Sequence, residues 1–262
     1  TLLANDTNFG VRSRERVLGT DHQHTLISRN NLAAAYRGAG HYDEAFSLDQ
    51  RTHDDMQRLL GPDHPDTIAS QNNLASDYDS LGRYDEAAEI HHKTLDTLQR
   101  ILEPEHPDIL TTQNNLGTTL LKAGHLEMTV RLLEETLVAM SRVLGSEHFH
   151  TLGCRNNLAS TFDSLGRYSE AAELHAGTSV VMERVLGSTH PTTRISYNNL
   201  AGSYYLAGRY DEATRILEET LEIDVLNLGA NHPTTIIVRN NLAKVYRARE
   251  LGADADALWE QG

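Results

Sequence analysis

The sequence NNLASDYDSLGRYDEA, residues 72–87, determines the fold of this 262-residue chain. Its opening Asn-Asn-Leu returns every 42 residues without an insertion, and a histidine eight residues upstream keeps the same step. The pairs begin at Asn30, Asn72, Asn114, Asn156, Asn198 and Asn240, and the histidines are His22, His64, His106, His148, His190 and His232. Two markers in one register, with a period between about 20 and 50 residues, indicate a repeat architecture.

Each repeat has the pattern of two helices joined by a short turn. Pro65 suits a first helical turn, and apolar residues at helical spacing follow it as far as Gly82, where we expect the first helix to end. After the Gly-Arg-Tyr turn, we expect the side chain of Asp85 to cap the start of the second helix. The corresponding residues of other repeats are Asp43, Ser169 and Asp211. A Leu-Gly pair then ends the second helix, so each repeat is predicted to be a helical hairpin.

A single hairpin of this size cannot bury its own apolar face, so the repeats must stack on one another. Leucines that are followed by a small residue recur in register and predict close packing between helices. These pairs are Leu32-Ala33, Leu74-Ala75, Leu116-Gly117, Leu158-Ala159, Leu200-Ala201 and Leu242-Ala243. The sequence therefore predicts an all-α solenoid of stacked antiparallel helix hairpins.

The register divides the chain into one array with defined boundaries. Residues 1–20 form the partial second helix of a preceding repeat, residues 231–262 form the last repeat with a C-terminal cap, and the full repeats are 21–62, 63–104, 105–146, 147–188 and 189–230. Ala257, Leu258 and Trp259 supply the apolar side of the predicted cap. Because the chain begins inside a repeat, we expect further sequence to precede it in the native protein.

Composition and charge exclude several classes of function. With 37 acidic and 23 basic residues the formal charge is −14, which disfavours nucleic acid and anionic membranes as partners. No apolar segment approaches the roughly 18 residues of a membrane span, and no signal-peptide pattern opens the chain. These features predict a soluble protein of the cytoplasm.

The motifs of common catalytic and metal sites are missing from the sequence. It contains no phosphate-binding glycine loop, His-Glu-x-x-His, paired-cysteine spacing or Gly-x-Ser-x-Gly elbow, and Cys154 is expected to be a small buried hydrophobe. The periodic histidines lie one per repeat, too far apart to share an ion, and are expected to shape the turn before each first helix. The His22/His24 and His148/His150 pairs are expected to bind a metal weakly at most. The chain is therefore predicted to be neither an enzyme nor a metal- or cofactor-dependent protein.

The order Asn-Leu-Ala-x-x-Tyr-x-x-x-Gly-x-Tyr-Asp-Glu-Ala, from Asn73 to Ala87, resembles the tetratricopeptide repeat (TPR) in its 42-residue, kinesin-light-chain-like form. The resemblance covers nearly the whole chain and implies a right-handed TPR superhelix whose first helices line a concave groove. The array is also similar to the repeat arrays of bacterial signal-transduction NTPases of the STAND/NB-ARC type. In those proteins the array detects a ligand and an upstream nucleotide-binding domain responds.

The paired asparagines are the main candidate binding site. The resemblance implies that the second asparagine of each pair hydrogen-bonds the backbone of an extended peptide, which suits a side chain that is both donor and acceptor. A ladder of amides that joins helix to helix explains the same recurrence, and the sequence leaves both roles open. The predicted groove residues are Asn30, Asn31, Asn72, Asn73, Asn114, Asn115, Asn156, Asn157, Asn198, Asn199, Asn240, Asn241, Arg37, Asp79, Lys122, Asp163, Tyr205 and Arg247.

The sequence predicts a non-catalytic scaffold that binds a protein or an extended peptide in the concave groove. The resemblance to STAND proteins further implies the ligand-sensing segment of a larger bacterial signalling protein, with an NTPase domain upstream of residue 1. A stand-alone adaptor and a peptide-responsive regulator are the alternatives, and an enzyme is the most remote of them. The lysine that precedes the second asparagine in chaperone-binding TPR proteins is here another asparagine, which disfavours a chaperone tail as the ligand.

Overall fold

The computed structural model describes residues 2–249, with side chains from Phe9 onward, and every regular element in this part of the chain is an α-helix. Helix α1 spans Leu2–Leu18. The first helices of the six repeats are α2 (Gln23–Gly38), α4 (Pro65–Ser80), α6 (Pro107–Ala123), α8 (Phe149–Ser164), α10 (Pro191–Leu206) and α12 (Pro233–Ala248). The second helices are α3 (Tyr42–Leu60), α5 (Tyr84–Ile101), α7 (Leu126–Val143), α9 (Tyr168–Leu186) and α11 (Tyr210–Leu228). The predicted hairpins are confirmed, whereas the predicted cap residues Ala257, Leu258 and Trp259 lie outside the described residues.

The helices form two compact units, Thr1–Leu132 and Leu133–Gly262, called here the N-terminal half and the C-terminal half. In the N-terminal half each helix from α1 to α6 packs on the next, and α2 also contacts α4. In the C-terminal half the helices from α8 to α12 pack in the same order, and α10 also contacts α8 and α12. In the described chain, α3 does not pack against α5 in this way, and α9 does not pack against α11. Among the described helices of either half, such contacts between non-consecutive helices join first helices, which places these on the inner face.

The leucine of each Asn-Asn-Leu motif and the small residue after it form the core, as predicted. These leucines are between 2% and 8% exposed, and every small residue beside them is buried. In the C-terminal half Leu200 and Ala201 pack in one cluster with Leu217, Leu242 and Val245. Complete burial of a leucine side chain contributes roughly 1.5–3 kcal/mol, so the recurring pair is a main source of stacking energy.

The periodic histidines cap the first helices. In all six, the histidine Nδ1 accepts a hydrogen bond from the backbone N–H two residues later, at 3.1–3.3 Å. The backbone of His64 is extended, with φ −74° and ψ 137°, and Pro65 occupies the first helical turn. The cap satisfies one of the N–H groups that a starting helix leaves unpaired. The predicted turn-shaping role of these histidines is thereby confirmed.

The second helices begin one residue earlier than the sequence suggested. Helix α5 begins at Tyr84, and the residue before it, Arg83, makes no side-chain cap bond. The prediction that Asp85 is an N-cap is therefore wrong, because Asp85 lies inside the first helical turn. The same correction applies to Asp43, Ser169 and Asp211. An acidic side chain in a first turn still interacts favourably with the helix dipole, which accounts for the recurrence.

The turn between the two helices is fixed by an arginine instead of a capping carboxylate. Arg83 lies over the ring of Tyr78, 4.5 Å from its centroid, and its Nε donates to Glu86 at 2.9 Å. Arg167 and Arg209 make the same pair of contacts in later repeats. Gly82, with φ +72°, supplies the left-handed backbone that reverses the chain direction at this turn.

Candidate ligand-binding groove

In the C-terminal half, asparagine side chains join consecutive first helices. Asn199 Nδ2 of α10 donates to Asn156 Oδ1 of α8 at 3.1 Å, and Asn241 Nδ2 of α12 donates to Asn198 Oδ1 of α10 at 2.8 Å. In both bonds the second asparagine of one repeat donates to the first asparagine of the preceding repeat. The paired asparagines therefore form an amide ladder across the inner face of this half.

The amide ladder does not use all the hydrogen-bonding capacity of Asn199. A primary amide has two N–H donors and a carbonyl acceptor, and the bond to Asn156 uses a single N–H. The Asn199 side chain makes no other hydrogen bond to a described residue and is half-buried, on the inner face. Stacking of helices is thus one observed role of the asparagines, and their contact with a ligand remains a prediction.

In the N-terminal half, two asparagine side-chain carbonyls have no partner of the kind seen in the amide ladder. Asn30 Oδ1 and Asn72 Oδ1 are buried and have no hydrogen-bond partner among the described residues. A buried acceptor without a donor costs about 1–3 kcal/mol relative to a paired one. These two carbonyls are therefore unpaired acceptors on the inner face of the N-terminal half.

A cavity of about 340 Å³ opens beside the ladder in the C-terminal half. Its polar lining includes Ser160, Asp163, His175, Asn199, Tyr205 and Lys244. Ala201, Leu217 and Val245 supply an apolar wall. The volume lies at the lower end of the roughly 300–1,000 Å³ of small-ligand pockets, so the cavity suits one side chain or a short segment.

A smaller cavity of about 140 Å³ lies towards the start of the same helices. Its lining includes the exposed side chains of Phe149 and Ile195 together with Asn156 and Asn199. Because Asn199 lines both cavities, we treat them as one surface, called here the C-terminal groove. This groove is apolar at the Phe149 end and charged at the Asp163 end.

Asp163 is the centre of a buried polar cluster in the C-terminal groove. Its Oδ2 accepts a hydrogen bond from Ser203 Oγ of the next first helix at 2.7 Å, and His175 Nε2 of α9 lies 3.7 Å from the same oxygen. The His175 side chain is 1% exposed, and the Asp163 side chain is 18% exposed. Asp163 Oδ1 and His175 Nδ1 are buried and have no hydrogen-bond partner.

In the N-terminal half the carboxylate at the equivalent position is fully paired, although His91 Nδ1, like His175 Nδ1, is buried without a hydrogen-bond partner. Thr119 Oγ1 is 3.1 Å from both oxygens of Asp79, and Lys122 Nζ lies 3.1 Å from Asp79 Oδ2. His91 occupies the position of His175, and burial lowers its pKa to about 4 although Asp79 partly opposes the shift. The Asp79 carboxylate is thus matched by donors and a cation from the chain itself.

The first repeat carries the same cluster with its charges reversed. Arg37, at the position of Asp79, donates through Nη1 to Asp49 Oδ2 and, at 2.8 Å, to Asp77 Oδ1. Both aspartate side chains are fully buried. Burial raises the pKa of Asp49 to about 7 although the hydrogen bond from Arg37 opposes the shift, and burial raises the pKa of Asp77 in the same way. Arg37, predicted to face a ligand, is therefore committed to the chain's own carboxylates.

The structure brings together some of the predicted groove residues and assigns others to internal contacts. Asn156, Asn198, Asn199, Asn241, Asp163 and Tyr205 line the C-terminal groove. Lys122 and Asp79 pair with each other, and Asn31 and Arg247 are exposed. The sequence prediction missed the second-helix position that completes each cluster. It is occupied by Asp49, His91, Leu133, His175 and Leu217, and the available signal was that three of these five positions on a helix with an apolar stripe are polar.

The geometry of the Asp163 cluster is not that of a nucleophile with its base. The Ser203 hydroxyl donates to the carboxylate, so its hydrogen bond is not directed at the imidazole that would have to accept its proton. Cys154 is buried as predicted, and burial raises the pKa of its thiol to about 12, which keeps the unreactive form. Within residues 2–249 no three histidine, cysteine or acidic side chains converge as metal ligands would. The groove offers hydrogen bonds, charge and apolar contact.

None of the described helices is both long enough and apolar enough to cross a bilayer.

These helical hairpins, stacked with their first helices inside, define a class of repeat scaffold typical of protein–protein interaction. One tetratricopeptide repeat model matches residues 30–96, 80–137, 178–224 and 194–258, and a second tetratricopeptide repeat model matches residues 151–192. The chain therefore belongs to the tetratricopeptide repeat family, and the resemblance drawn from residues 73–87 is confirmed.

Several solved structures are similar to this chain. A protein described as a kinesin light chain from Podosopora anserina, with nearly identical TPR-like repeats, is 30% identical over 76% of this chain and 93% of its own, with a TM-score of 0.70. BtubC from P. vanneervenii is 21% identical over 84% of this chain and 89% of its own, with a TM-score of 0.71. A STAND ATPase with a TPR sensor from Pyrococcus horikoshii is 14% identical over 96% of this chain and 37% of its own, with a TM-score of 0.65. A search of curated protein sequences gives no match.

Proposed function

We propose that this chain is a non-catalytic scaffold that binds a protein segment or extended peptide in the C-terminal groove. The observation that carries the proposal is the position of Asn199. Its amide makes one bond in the ladder and lines both cavities of the groove. An amide in this place can pair with a peptide group of any sequence, because the peptide group also has one donor and one acceptor.

The cavities on either side of Asn199 would provide specificity. The exposed Phe149 and Ile195 suit an apolar side chain of the ligand, whereas the Asp163 cavity suits a polar one. Side chains of an extended peptide alternate in direction, so two pockets that flank a backbone-binding amide fit one continuous segment. The proposal contains no catalytic step, and its support is that the Ser203 hydroxyl donates to Asp163 and is not directed at a base.

The wider role in the proposal is ligand sensing within a larger bacterial signalling protein of the cytoplasm. The Pyrococcus protein combines a TPR sensor with an ATPase, and its likeness to this chain is one of fold. An adaptor role like that of a kinesin light chain is the second candidate, favoured by the 30% identity to the Podosopora protein. The native gene decides between them, because a phosphate-binding loop encoded upstream of Thr1 supports the sensor and a start codon directly upstream supports the adaptor.

The binding proposal is tested by selecting peptides from a random display library on the immobilised chain. The dissociation constant of a selected peptide is then measured for the native chain, for Asn199→Ala and for Asn227→Ala. Asn227 is the matched control, since it is an exposed asparagine on second helix α11 and outside the groove. We expect Asn199→Ala to weaken binding about tenfold, the effect of roughly one lost hydrogen bond, and Asn227→Ala to leave it unchanged.

Two results would contradict the binding proposal. The first is equal affinity of all three proteins for every selected peptide, which would place binding outside the groove. The second is loss of binding in Asn199→Ala that is explained by unfolding of the variant, which circular dichroism at the assay temperature detects.

A further inference from the structure

The Asp163 carboxylate has one oxygen with a partner and one without. Oδ2 accepts from Ser203, whereas Oδ1 is buried and has no hydrogen-bond partner. Beside it, the His175 side chain is almost completely buried, lines the same cavity and leaves Nδ1 without a partner. An unpaired carboxylate oxygen in a region of low dielectric is unfavourable, and a bound donor removes that penalty. The cavity therefore contains a buried carboxylate oxygen that lacks a hydrogen-bond donor.

In the N-terminal half the chain itself supplies the donors for the equivalent carboxylate, although the imidazole Nδ1 of His91 is unpartnered there as well. Asp79 is the equivalent of Asp163, and Lys122, 43 residues later, contacts its Oδ2 at 3.1 Å. The same step of 43 residues leads from Asp163 to Leu206, which has no charge to offer. No lysine or arginine among the described residues pairs with Asp163, and Lys244, which also lines the cavity, forms no ion pair with it. The chain thus supplies a cation to one aspartate and omits it at the other.

The walls around Asp163 suit an arginine side chain in particular. Tyr205 lies one repeat after Asp163 at the same position of the first helix, and both residues line the cavity. A planar guanidinium stacks on an aromatic ring and offers several N–H donors at once, whereas a lysine offers a single compact charge. Leu206 and the apolar wall fit the aliphatic stem of such a side chain. The Asp163 side chain is itself 18% exposed and lines the cavity together with the half-buried Tyr205 and the exposed Leu206.

We propose that the C-terminal groove selects ligands that carry an arginine, whose guanidinium donates to Asp163 Oδ1 and stacks on Tyr205. This inference rests on the proposed function and adds the chemical class of the residue that the groove recognises. The net charge of −14 adds long-range attraction for a basic segment.

The experiment compares three peptides that differ only at their centre: acetyl-Ser-Ala-Arg-Ala-Ser-amide and the same peptide with citrulline or alanine in place of arginine. Citrulline has nearly the shape of arginine and no charge. Binding is followed by chemical-shift changes in the ¹⁵N-labelled chain at peptide concentrations up to about 5 mM. The proteins are the native chain, Asp163→Asn, Leu206→Lys, Asn199→Ala and the control Asp79→Asn. Leu206→Lys changes an exposed residue and recreates at Asp163 the internal cation that Lys122 gives to Asp79.

We expect the arginine peptide to bind the native chain at least about tenfold more tightly than the citrulline peptide, as for a charge-assisted hydrogen bond. Asp163→Asn and Leu206→Lys should each reduce this ratio to within about twofold, while Asp79→Asn keeps it. Equal binding of the three peptides, with all of them weakened by Asn199→Ala, would overturn the arginine inference and leave the binding function standing. An arginine preference that persists in both Asp163→Asn and Leu206→Lys would overturn it as well. Absence of binding by all three overturns the inference, and the library selection then decides the binding function separately.

Discussion

Arg194 of α10 and Asp224 of α11 form an ion pair whose side chains are 3% and 0% exposed. One repeat earlier the same two positions hold Leu152 and Met182, both buried and apolar. The fifth repeat has therefore exchanged an apolar pair for a charged pair at two positions at once. A buried ion pair is weak as a source of stability, because desolvation of both charges offsets their attraction.

This exchange predicts opposite effects for single and double substitutions. Arg194→Leu alone should lower the free energy of unfolding by about 3–5 kcal/mol, because it leaves Asp224 charged and buried without a partner. The double variant Arg194→Leu with Asp224→Met restores the residues of the preceding repeat and should be as stable as the native chain, or more stable by about 1–4 kcal/mol. Urea unfolding of the native chain, Arg194→Leu, Asp224→Met and the double variant measures the difference. Additive losses in the double variant would show that the two residues do not interact.

The repeated spacing predicted most of the fold, and its errors have a common physical origin. Helix number, the leucine core and the hairpin order follow from local periodicity, as Leu74 and Ala75 illustrate. The clusters around Arg37, Asp79 and Asp163 were not predicted, because each joins residues of two consecutive repeats. Asp163 meets Ser203 at a separation of 40 residues, and Asp79 meets Lys122 at 43. Such pairs are invisible within one repeat and become neighbours only when the repeats stack.

The buried carboxylates of the first repeat predict an unusual dependence of stability on pH. Because burial raises the pKa of Asp49 to about 7, the native state holds a proton there from about pH 4, the unfolded value, up to about pH 7. The unfolded state does not hold that proton, so this group's contribution to stability is present at low pH and is lost as pH rises through that window. Between pH 5 and pH 8 we expect the ionisation of Asp49 to lower the free energy of unfolding by on the order of 2 kcal/mol.

The contribution of Asp49 is isolated by comparison with Asp49→Asn, which cannot ionise and retains a side-chain oxygen for Arg37. The measurement is the urea midpoint of both proteins at several values between pH 5 and pH 8. The native chain should lose stability relative to the variant as pH increases. A difference between the two that does not change with pH would mean that Asp49 ionises in the native state as it does in the unfolded chain.

The effect of His91 is opposite to that of Asp49, because it should make the free energy of unfolding fall as the pH decreases. Burial lowers the pKa of His91 to about 4, so the native state keeps it neutral while the unfolded state takes up a proton from about pH 6.5 downward. Its contribution to stability is therefore present above pH 6.5 and is lost as pH falls towards 4, by about 2–3 kcal/mol in total. His91→Leu, which introduces the residue found at Leu133 and Leu217, should remove this part of the acid destabilisation. Identical slopes of the unfolding free energy against pH in the native chain and in His91→Leu would contradict the prediction.

The hydrogen bond from Asp66 N–H to His64 Nδ1 predicts that the periodic histidines stabilise the chain as helix caps. His64→Ala removes the acceptor and should lower the free energy of unfolding by about 1 kcal/mol, the usual effect of losing an N-cap. His64→Asp keeps an acceptor at the cap and should retain most of the stability, since aspartate is among the preferred N-cap residues. His92→Ala, on the exposed side of α5, is the matched control and should leave the urea midpoint nearly unchanged. If His64→Ala and His92→Ala reduce stability equally, or if His64→Asp is as unstable as His64→Ala, the cap is not the reason that a histidine recurs before each first helix.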